Sequence, residues 1–350
     1  MSGLTLPARA RPFQLPGLRR GAARAASVVV TLLGLLLLVF AMGRLLPADP
    51  VLAVTGSEVD RATYDRVYHQ LGLDRPVWQQ FASYVGHVVQ GDLGSSLTTG
   101  RPVAEDLLSV YPATVELALV AMLCGTAIGV PLGVAAAVRR GRLVDHLARL
   151  VGLAGHSVPV FWLGLMGLLL FYARLGWVSA SGRIDVLNEG VVPPVTGLML
   201  LDSVLAGEWD VFRDAVGHIV LPGAVLGYYS AAYLSRMTRS FMLEELGQDY
   251  VVAARAKGVS RRRTVWTHAF RNIRVRLLTV LALTFGGLLD GAVLVETVFG
   301  WPGLGQYLTR GLTTNDMNVV MGAVLVIGST FLVINLVSDR LYRVLDPRTR

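Results

Sequence analysis

Residues 27–43 read SVVVTLLGLLLLVFAMG, seventeen positions without one charged side chain. A helix rises 1.5 Å per residue, so crossing a hydrocarbon core about 30 Å thick takes about 20 apolar residues. Extended to 27–46 the run meets that length, and five others match it: 114–138, 150–172, 217–235, 277–299 and 318–338. Hydrocarbon offers backbone N–H and C=O groups no partner, so each span has to be a helix that satisfies them internally. The sequence therefore predicts an all-α polytopic membrane protein with six transmembrane helices. Pro131, Pro159 and Pro222 fall inside three of the spans and predict kinks. Arg19, Arg20 and Arg24 ahead of the first run, with Ala41-Met42-Gly43 near its end, imitate a signal peptide. The run is long for a signal core and reads as a retained span.

Composition excludes several function classes. Of 350 residues 53% are hydrophobic and only 16% charged, and the mean hydropathy is +0.55, values of a lipid-embedded chain rather than a set of soluble domains. The net charge of +8 comes from 32 basic residues, of which only Lys257 is a lysine. No soluble face gathers them, so a nucleic-acid partner is not expected. Basic residues in short loops stay in the cytoplasm, and placing both termini there puts 23 of the 32 into cytoplasmic segments 1–26, 139–149, 236–276 and 339–350. The extracytoplasmic segments 47–113, 173–216 and 300–317 then carry most of the acids, including Asp60, Asp65, Asp185, Asp210 and Asp214. Cys124 sits in an apolar run and reads as a small buried hydrophobe. The six histidines are scattered, and no Cys/His spacing for a metal occurs.

Within 47–113, apolar residues recur at helical spacing, Val67 with Leu71, and Phe81 with Val85 and Val88. They predict two short amphipathic helices on the outer face. Residues 173–216, with Trp177, Pro193, Pro194 and Trp209, read as an interfacial loop. GWPGLGQYLTRGLTTNDMN, from 300 to 318, is too short and glycine-broken to span, yet offers Trp301, Leu304, Tyr307 and Leu308 for burial at the interface.

One cytoplasmic segment is far longer than a chain reversal needs: RMTRSFMLEELGQDYVVAARAKGVSRRRTVWTHAFRNIRVR, 236–276. Ala253, Ala254 and Ala256 favour helix, Gly258 stands where a left-handed cap belongs, and Ser260 can cap a following helix. Contact with lipid headgroups accounts for the ten basic residues. It leaves the length, the capped break and the alanine patch unexplained, and docking of a partner protein is the other reading of them.

This segment resembles the EAA motif of permease subunits of binding-protein-dependent ABC importers, on Asp249-Tyr250-Val251, Ala254-Arg255-Ala256-Lys257-Gly258 and His268-Ala269-Phe270-Arg271-Asn272. Three further stretches are similar to the B-type subunit of the dipeptide/oligopeptide/nickel family: Arg44 to Pro50, Gly91-Asp92-Leu93-Gly94-Ser95-Ser96 with Thr99-Gly100-Arg101-Pro102-Val103, and Glu296 to Gly305. The resemblance covers about 27–347 and implies a type I ABC importer permease fold in the bacterial cytoplasmic membrane. It also implies a coupling helix seated on a separate ATPase through Asp249, Tyr250, Ala254, Arg255, Ala256, Lys257 and Gly258. The implied partners are a homologous second permease, two ATPase subunits that bind ATP and Mg, and an extracytoplasmic substrate-binding protein that would dock near Trp301, Leu304 and Tyr307. Short peptides are the implied cargo, with nickel or another small polar solute as the alternative. One departure stands out: the family usually places proline where Arg276 stands here, which puts the geometry at the foot of the fifth span in doubt.

No G-x4-G-K-[ST], H-E-x-x-H or G-x-S-x-G occurs, so no nucleotide site and no covalent chemistry are expected in the chain itself. An ion-coupled transporter would be expected to show several intramembrane ionisable groups. Here only Asp290 lies deep in a span, with Glu296 near its outer edge. A charge at a helix centre costs about 2.5–3.5 kcal/mol, so Asp290 is expected either to be hydrogen-bonded at a helix interface or to line a path, beside the small residues Gly287 and Gly291.

Overall fold

The computed structural model describes residues 16–45, 50–55, 59–70, 72–179 and 181–345. The first fifteen residues, the 46–49 part of the Arg44 to Pro50 stretch, Leu71 and the last five residues lie outside the described residues, and with them the readings made there.

The described chain is helical, with one isolated bridge between Ser95 and Pro102. In order the helices are α1 (Pro16–Leu45), α2 (Pro50–Thr55), α3 (Arg61–Gln70), α4 (Val77–Val89), α5 (Val103–Val138), α6 (Leu143–Ser157) and α7 (Val160–Arg174). They continue with α8 (Met199–Ala206), α9 (Trp209–Leu246), α10 (Asp249–Ala256), α11 (Arg261–Phe299), α12 (Leu304–Thr313) and α13 (Met317–Leu345). Five of these, α1, α5, α9, α11 and α13, are long and apolar enough to cross a bilayer. The helices α6 and α7 reach that length only as a pair bent by 97°.

The bend falls where the sequence predicts one helix over 150–172. Pro159 has no N–H for the ladder and its ring crowds the preceding turn, so α6 stops at Ser157 and α7 restarts at Val160. Pro131 and Pro222 behave otherwise, remaining inside the continuous helices α5 and α9. In 47–113 there are three short helices rather than two, and α12 occupies part of the segment after Gly300. Helices also outrun the apolar runs: α9 continues to Leu246 and α11 begins at Arg261. Hydropathy measures the lipid-compatible part of a helix, and arginine is itself a good helix former beyond it.

The centre of the molecule is the pair α5 and α9, which run side by side in the same direction. Gly125, Gly129 and Gly133 form a stripe on α5 that meets the backbone of α9. A Cβ on Gly129 would lie 2.6 Å from the Ala231 carbonyl oxygen, and one on Gly133 2.5 Å from that of Ser235. Small residues let two helix backbones touch, which is how helices associate where lipid removes the hydrophobic drive. Leu117, Ala118 and Ala121 of α5, Ile219 and Leu226 of α9, and Leu288, Ala292 and Val295 of α11 fill the layer above this contact. The helix α13 packs on α11, and α1 packs on α13 at the edge. Leu33, Leu37 and Leu38 of α1 stay exposed, as a lipid-facing helix requires. Cys124 is exposed beside Leu123 and Ile128, correcting the expectation of a buried thiol: it lies just off the glycine stripe.

Replacing Gly129 by alanine is expected to cost about 1–3 kcal/mol through overpacking. Alanine at Gly34, where nothing lies within 4 Å of the added carbon, is expected to leave stability unchanged or slightly higher. Thermal unfolding of the two purified variants separates these outcomes.

Candidate functional site

At the end of the bundle that carries Arg139, Arg140, Arg255, Lys257 and Arg261, α9 stops at Leu246 and α10 begins at Asp249 after only two residues. Gly258 is left-handed at φ +82° and closes α10: its N–H donates to the Arg255 carbonyl, while the Val259 N–H donates to that of Ala254. That is the cap the sequence predicts. Ser260 stands at the start of α11, but its side chain makes no capping bond; its carbonyl accepts from the Thr264 N–H instead. Of α10 only Val251 is fully buried. Asp249, Tyr250, Arg255, Ala256, Lys257 and Gly258 are exposed and Ala254 is half-buried, so the residues read from the motif form one outward surface.

A polar bracket holds that surface rigidly to the bundle. Glu245, in the last turn of α9, is 8% exposed. Its Oε1 accepts from the Tyr250 hydroxyl at 2.6 Å and from Asn272 Nδ2 at 3.0 Å. The Arg276 guanidinium donates to Glu245 Oε2 at 2.9 Å and to Glu244 Oε2 at 2.8 Å, and lies 5.1 Å from the centre of the Phe241 ring. Asn272 also bonds the Tyr250 oxygen, at 2.9 Å. Three elements, α9, α10 and α11, thus meet on one carboxylate. Bonds to an ionised acceptor contribute about 1.5–3 kcal/mol each, twice or more a neutral pair. Burial, then the bond to Glu245, pushes the Tyr250 phenol up to about 12, so it stays protonated and donating at any ordinary pH.

Arg276 resolves the doubt at the foot of the fifth span. Where the family pattern has proline, this chain runs an unbroken α11 from Arg261 through a π-helical turn at Thr264–Ala269, and uses the arginine to tie it to α9. Two further links close the same end. Arg239 of α9 grips Asp145 of α6 with both guanidinium edges, at 2.6 and 3.0 Å, and Arg261 donates to the Val138 carbonyl that ends α5, at 2.7 Å. Beside α10 opens a groove of about 540 Å3, with Arg140, Arg255 and Arg261 around an apolar floor of Val138, Leu246 and Val265.

At the opposite end the structure corrects the reading of Trp301 and Leu304 as a docking surface. They are 1% and 2% exposed. The Trp301 indole donates to the Ala113 carbonyl at 2.9 Å, and the Leu304 N–H to Thr114 Oγ1 at 2.7 Å. Glu296, fully buried, accepts from Thr114 Oγ1 at 2.6 Å and from the Gly305 and Gln306 N–H groups at 2.7 and 3.1 Å. A carboxylate facing the first turn of α12 satisfies its free donors and its dipole. A side chain at Gly303 would collide with that carboxylate. Tyr307 is half-buried and donates to Asp106 at 3.1 Å. These aromatic and leucine side chains hold the end cap together and are turned inward.

Asp290 is neither buried nor hydrogen-bonded among the described residues. With Leu283, Gly287, Leu294 and Thr297 it lies on an exposed stripe of α11, and Gly287 has open space beside it. Gly291 faces Leu226 of α9 at an ordinary contact distance, as a helix-packing glycine.

The family model described as binding-protein-dependent transport system inner membrane component matches residues 129–350, and the model of the N-terminal membrane component of the same systems matches 18–118. The chain is 46% identical over 330 residues to the di/tripeptide transport system permease protein DppB of Pseudomonas aeruginosa, covering 94% of this chain and 98% of that one. It is 43% identical to the dipeptide transport system permease protein DppB of Escherichia coli K12, over 93% and 97% of the two chains. It is 41% identical to the probable D,D-dipeptide transport system permease protein DdpB of that strain, over 93% and 95%.

Truncating Glu245 to alanine is expected to destabilise the fold by about 1–3 kcal/mol, because Arg276 loses half of its anchorage. Removing only the Tyr250 hydroxyl with phenylalanine is expected to cost about 1 kcal/mol. That smaller effect is expected to be constant from about pH 6 to 9, since a phenol raised above its ordinary value of about 10 contributes fully below that pH and loses its contribution only above it. Thermal unfolding across this range measures both.

Proposed function

The chain belongs to the family of binding-protein-dependent transport system inner membrane components, and from that membership we propose that it is the permease subunit through which an ATP-driven importer moves short peptides across the bacterial cytoplasmic membrane. Six spans carry the path, with α6 and α7 counted as one bent span and both termini in the cytoplasm. The basic end is then the cytoplasmic end, in keeping with the retention of arginine in short loops. A homologous second permease, two ATPase subunits and an extracytoplasmic binding protein complete the machine. Peptide cargo is supported by the names of the relatives, which are transporters of di- and tripeptides.

The observation that carries the mechanism is the exposed α10 held on the Glu245 bracket. ATP closure moves a partner, and this chain needs a rigid handle that transfers the motion to its spans. A helix of eight residues, with Ala253 and Ala256 among its exposed side chains, seats with its Gly258 cap in a groove of the ATPase through Asp249, Tyr250, Ala254, Arg255, Ala256, Lys257 and Gly258. Displacement of α10 then reaches α9 and α11 together, because Tyr250, Asn272 and Arg276 share one carboxylate. Since packed helices switch between discrete arrangements, a small shift at α10 becomes a rigid-body tilt that opens one side of the path and closes the other. The binding protein meets the opposite end, on the exposed surfaces of 61–101 rather than on Trp301 and Leu304.

A cysteine at Ala253, in a chain whose Cys124 is replaced by serine, tests this directly. With a short bis-maleimide it is expected to capture the ATPase subunit, and excising 249–258 is expected to abolish import while the chain still reaches the membrane. Import that persists after excision, with no captured ATPase, would contradict the proposal.

A further inference from the structure

We propose that a cavity at the Arg44 end of α1 seats the headgroup of a phospholipid, with its phosphate on Arg44 and Arg75 and a primary ammonium on Asp92. The inference goes beyond peptide import and does not depend on the cargo.

The cavity lies between α1, α4 and the start of α13, and its free volume of about 460 Å3 is within the range of small-molecule sites. Arg44 is the last residue of the α1 span and Met317 the first of the α13 span, so this is the level of a membrane edge. Phe40 and Met321, which also line the cavity, lie four residues farther into the same two spans, about 6 Å deeper at 1.5 Å per residue. Arg75, Asp92 and Asn315 line it from turns outside the spans. An apolar floor under a charged rim matches a molecule that is apolar below and charged above. Leu33, Leu37 and Leu38 on α1 are exposed to lipid, so such a molecule can enter sideways from the bilayer. A soluble dipeptide has no use for that floor.

The two arginines are positioned by one amide. Arg44 donates to Gln80 Oε1, and its guanidinium lies 5.5 Å from the centre of the Phe40 ring. Gln80 Nε2 donates in turn to the Arg75 carbonyl at 2.7 Å and to that of Leu73 at 3.2 Å, which ties Arg44 to the turn that carries Arg75. The Arg75 side chain folds back over Gly72, a left-handed position. Asp74, next to Arg75 in sequence, is engaged by His69 Nδ1 at 3.1 Å. A guanidinium has five donors and Gln80 occupies one on Arg44, so phosphate oxygens suit the remainder. Two acids also line the cavity. Asp316 is fully buried and accepts from Ser96, Leu97, Thr98 and Val319. Asp92 is exposed, and its Oδ1 accepts from the Gly94 N–H at 2.9 Å, which leaves Oδ2 for a ligand. Two guanidiniums and one open carboxylate complement a phosphate that carries an ammonium, the headgroup of phosphatidylethanolamine. The headgroup of phosphatidylglycerol brings no cation for Asp92.

The test uses the purified transporter, stripped of lipid in detergent and titrated with phosphatidylethanolamine or phosphatidylglycerol of the same acyl chains. Thermal unfolding reads binding, and native mass spectrometry counts the lipids retained. Half-maximal stabilisation is expected at about tenfold less phosphatidylethanolamine than phosphatidylglycerol. Arg75→Gln leaves the backbone acceptor of Gln80 in place. It is expected to unfold at the unaltered temperature without lipid, to retain one phosphatidylethanolamine fewer, and to need about tenfold more of it, with Arg75→Lys recovering part. Asp92→Asn keeps an Oδ1 acceptor for Gly94 and is expected to bind the two lipids alike. Equal affinity of the unaltered protein for both lipids, or an unchanged titration in Arg75→Gln, would overturn the proposal. So would a lowered unfolding temperature of Arg75→Gln in the absence of lipid, which would make the arginine a structural one. Stabilisation by glycerophosphoethanolamine or inorganic phosphate equal to that by the lipid would assign the cavity to a soluble ligand and overturn it too.

Discussion

One buried carboxylate governs how this chain can move. Glu245 sits where α9 ends, and its oxygens collect donors from α10 and α11, so three elements that the backbone joins only through short turns become one body. A buried charge is tolerable only when its lone pairs are filled, and here the donors come from two other elements, Tyr250 of α10 and Asn272 and Arg276 of α11. Pulling α10 away would break the Tyr250 bond to the carboxylate and separating α9 from α11 would take away its Asn272 and Arg276 donors. The cheapest response to a force on α10 is therefore to move α9 and α11 with it. Because α9 is welded to α5 through the glycine stripe at 125, 129 and 133, the motion reaches the centre of the bundle without passing through a flexible joint.

The opposite end is built on the same device. Glu296 gathers the start of α12 and the Thr114 hydroxyl of α5, while Asp106 and Asp316 pin the 96–101 turn to Tyr307 and to the start of α13. Both ends are thus stiffened by buried acids whose donors come from several helices. Between them, Asp290 is left open on the face of α11.

Much of this was legible in the sequence. The apolar runs located the long helices, because a helix is the structure a membrane demands of an apolar segment. Gly258 and the alanines marked α10 and its end, since a left-handed position leaves few residues to choose from. What sequence reasoning missed is pairing at a distance. Glu245, Asn272 and Arg276 are 31 residues apart at most, yet nothing in one sequence says that they share a site, and there Arg276 stands out only as a departure from a family pattern. The glycine stripe on α5 was visible as Gly-x3-Gly-x3-Gly inside an apolar run and could have been read as a helix contact. Trp301 and Leu304 misled because aromatic and leucine side chains near a membrane edge suit an interface and a core equally well; Gly303 and Gly305, which admit the Glu296 carboxylate, were the clue to the core.

The central claim is that α10 and α11 move as one body. Spin labels at Val252 and Arg274, both exposed, report the distance between them in the assembled transporter with and without ATP. A single narrow distance that is the same in both conditions is the predicted result. A distribution that shifts by several ångströms on nucleotide binding would show that the bracket yields, and the account of force transfer through Glu245 would be wrong.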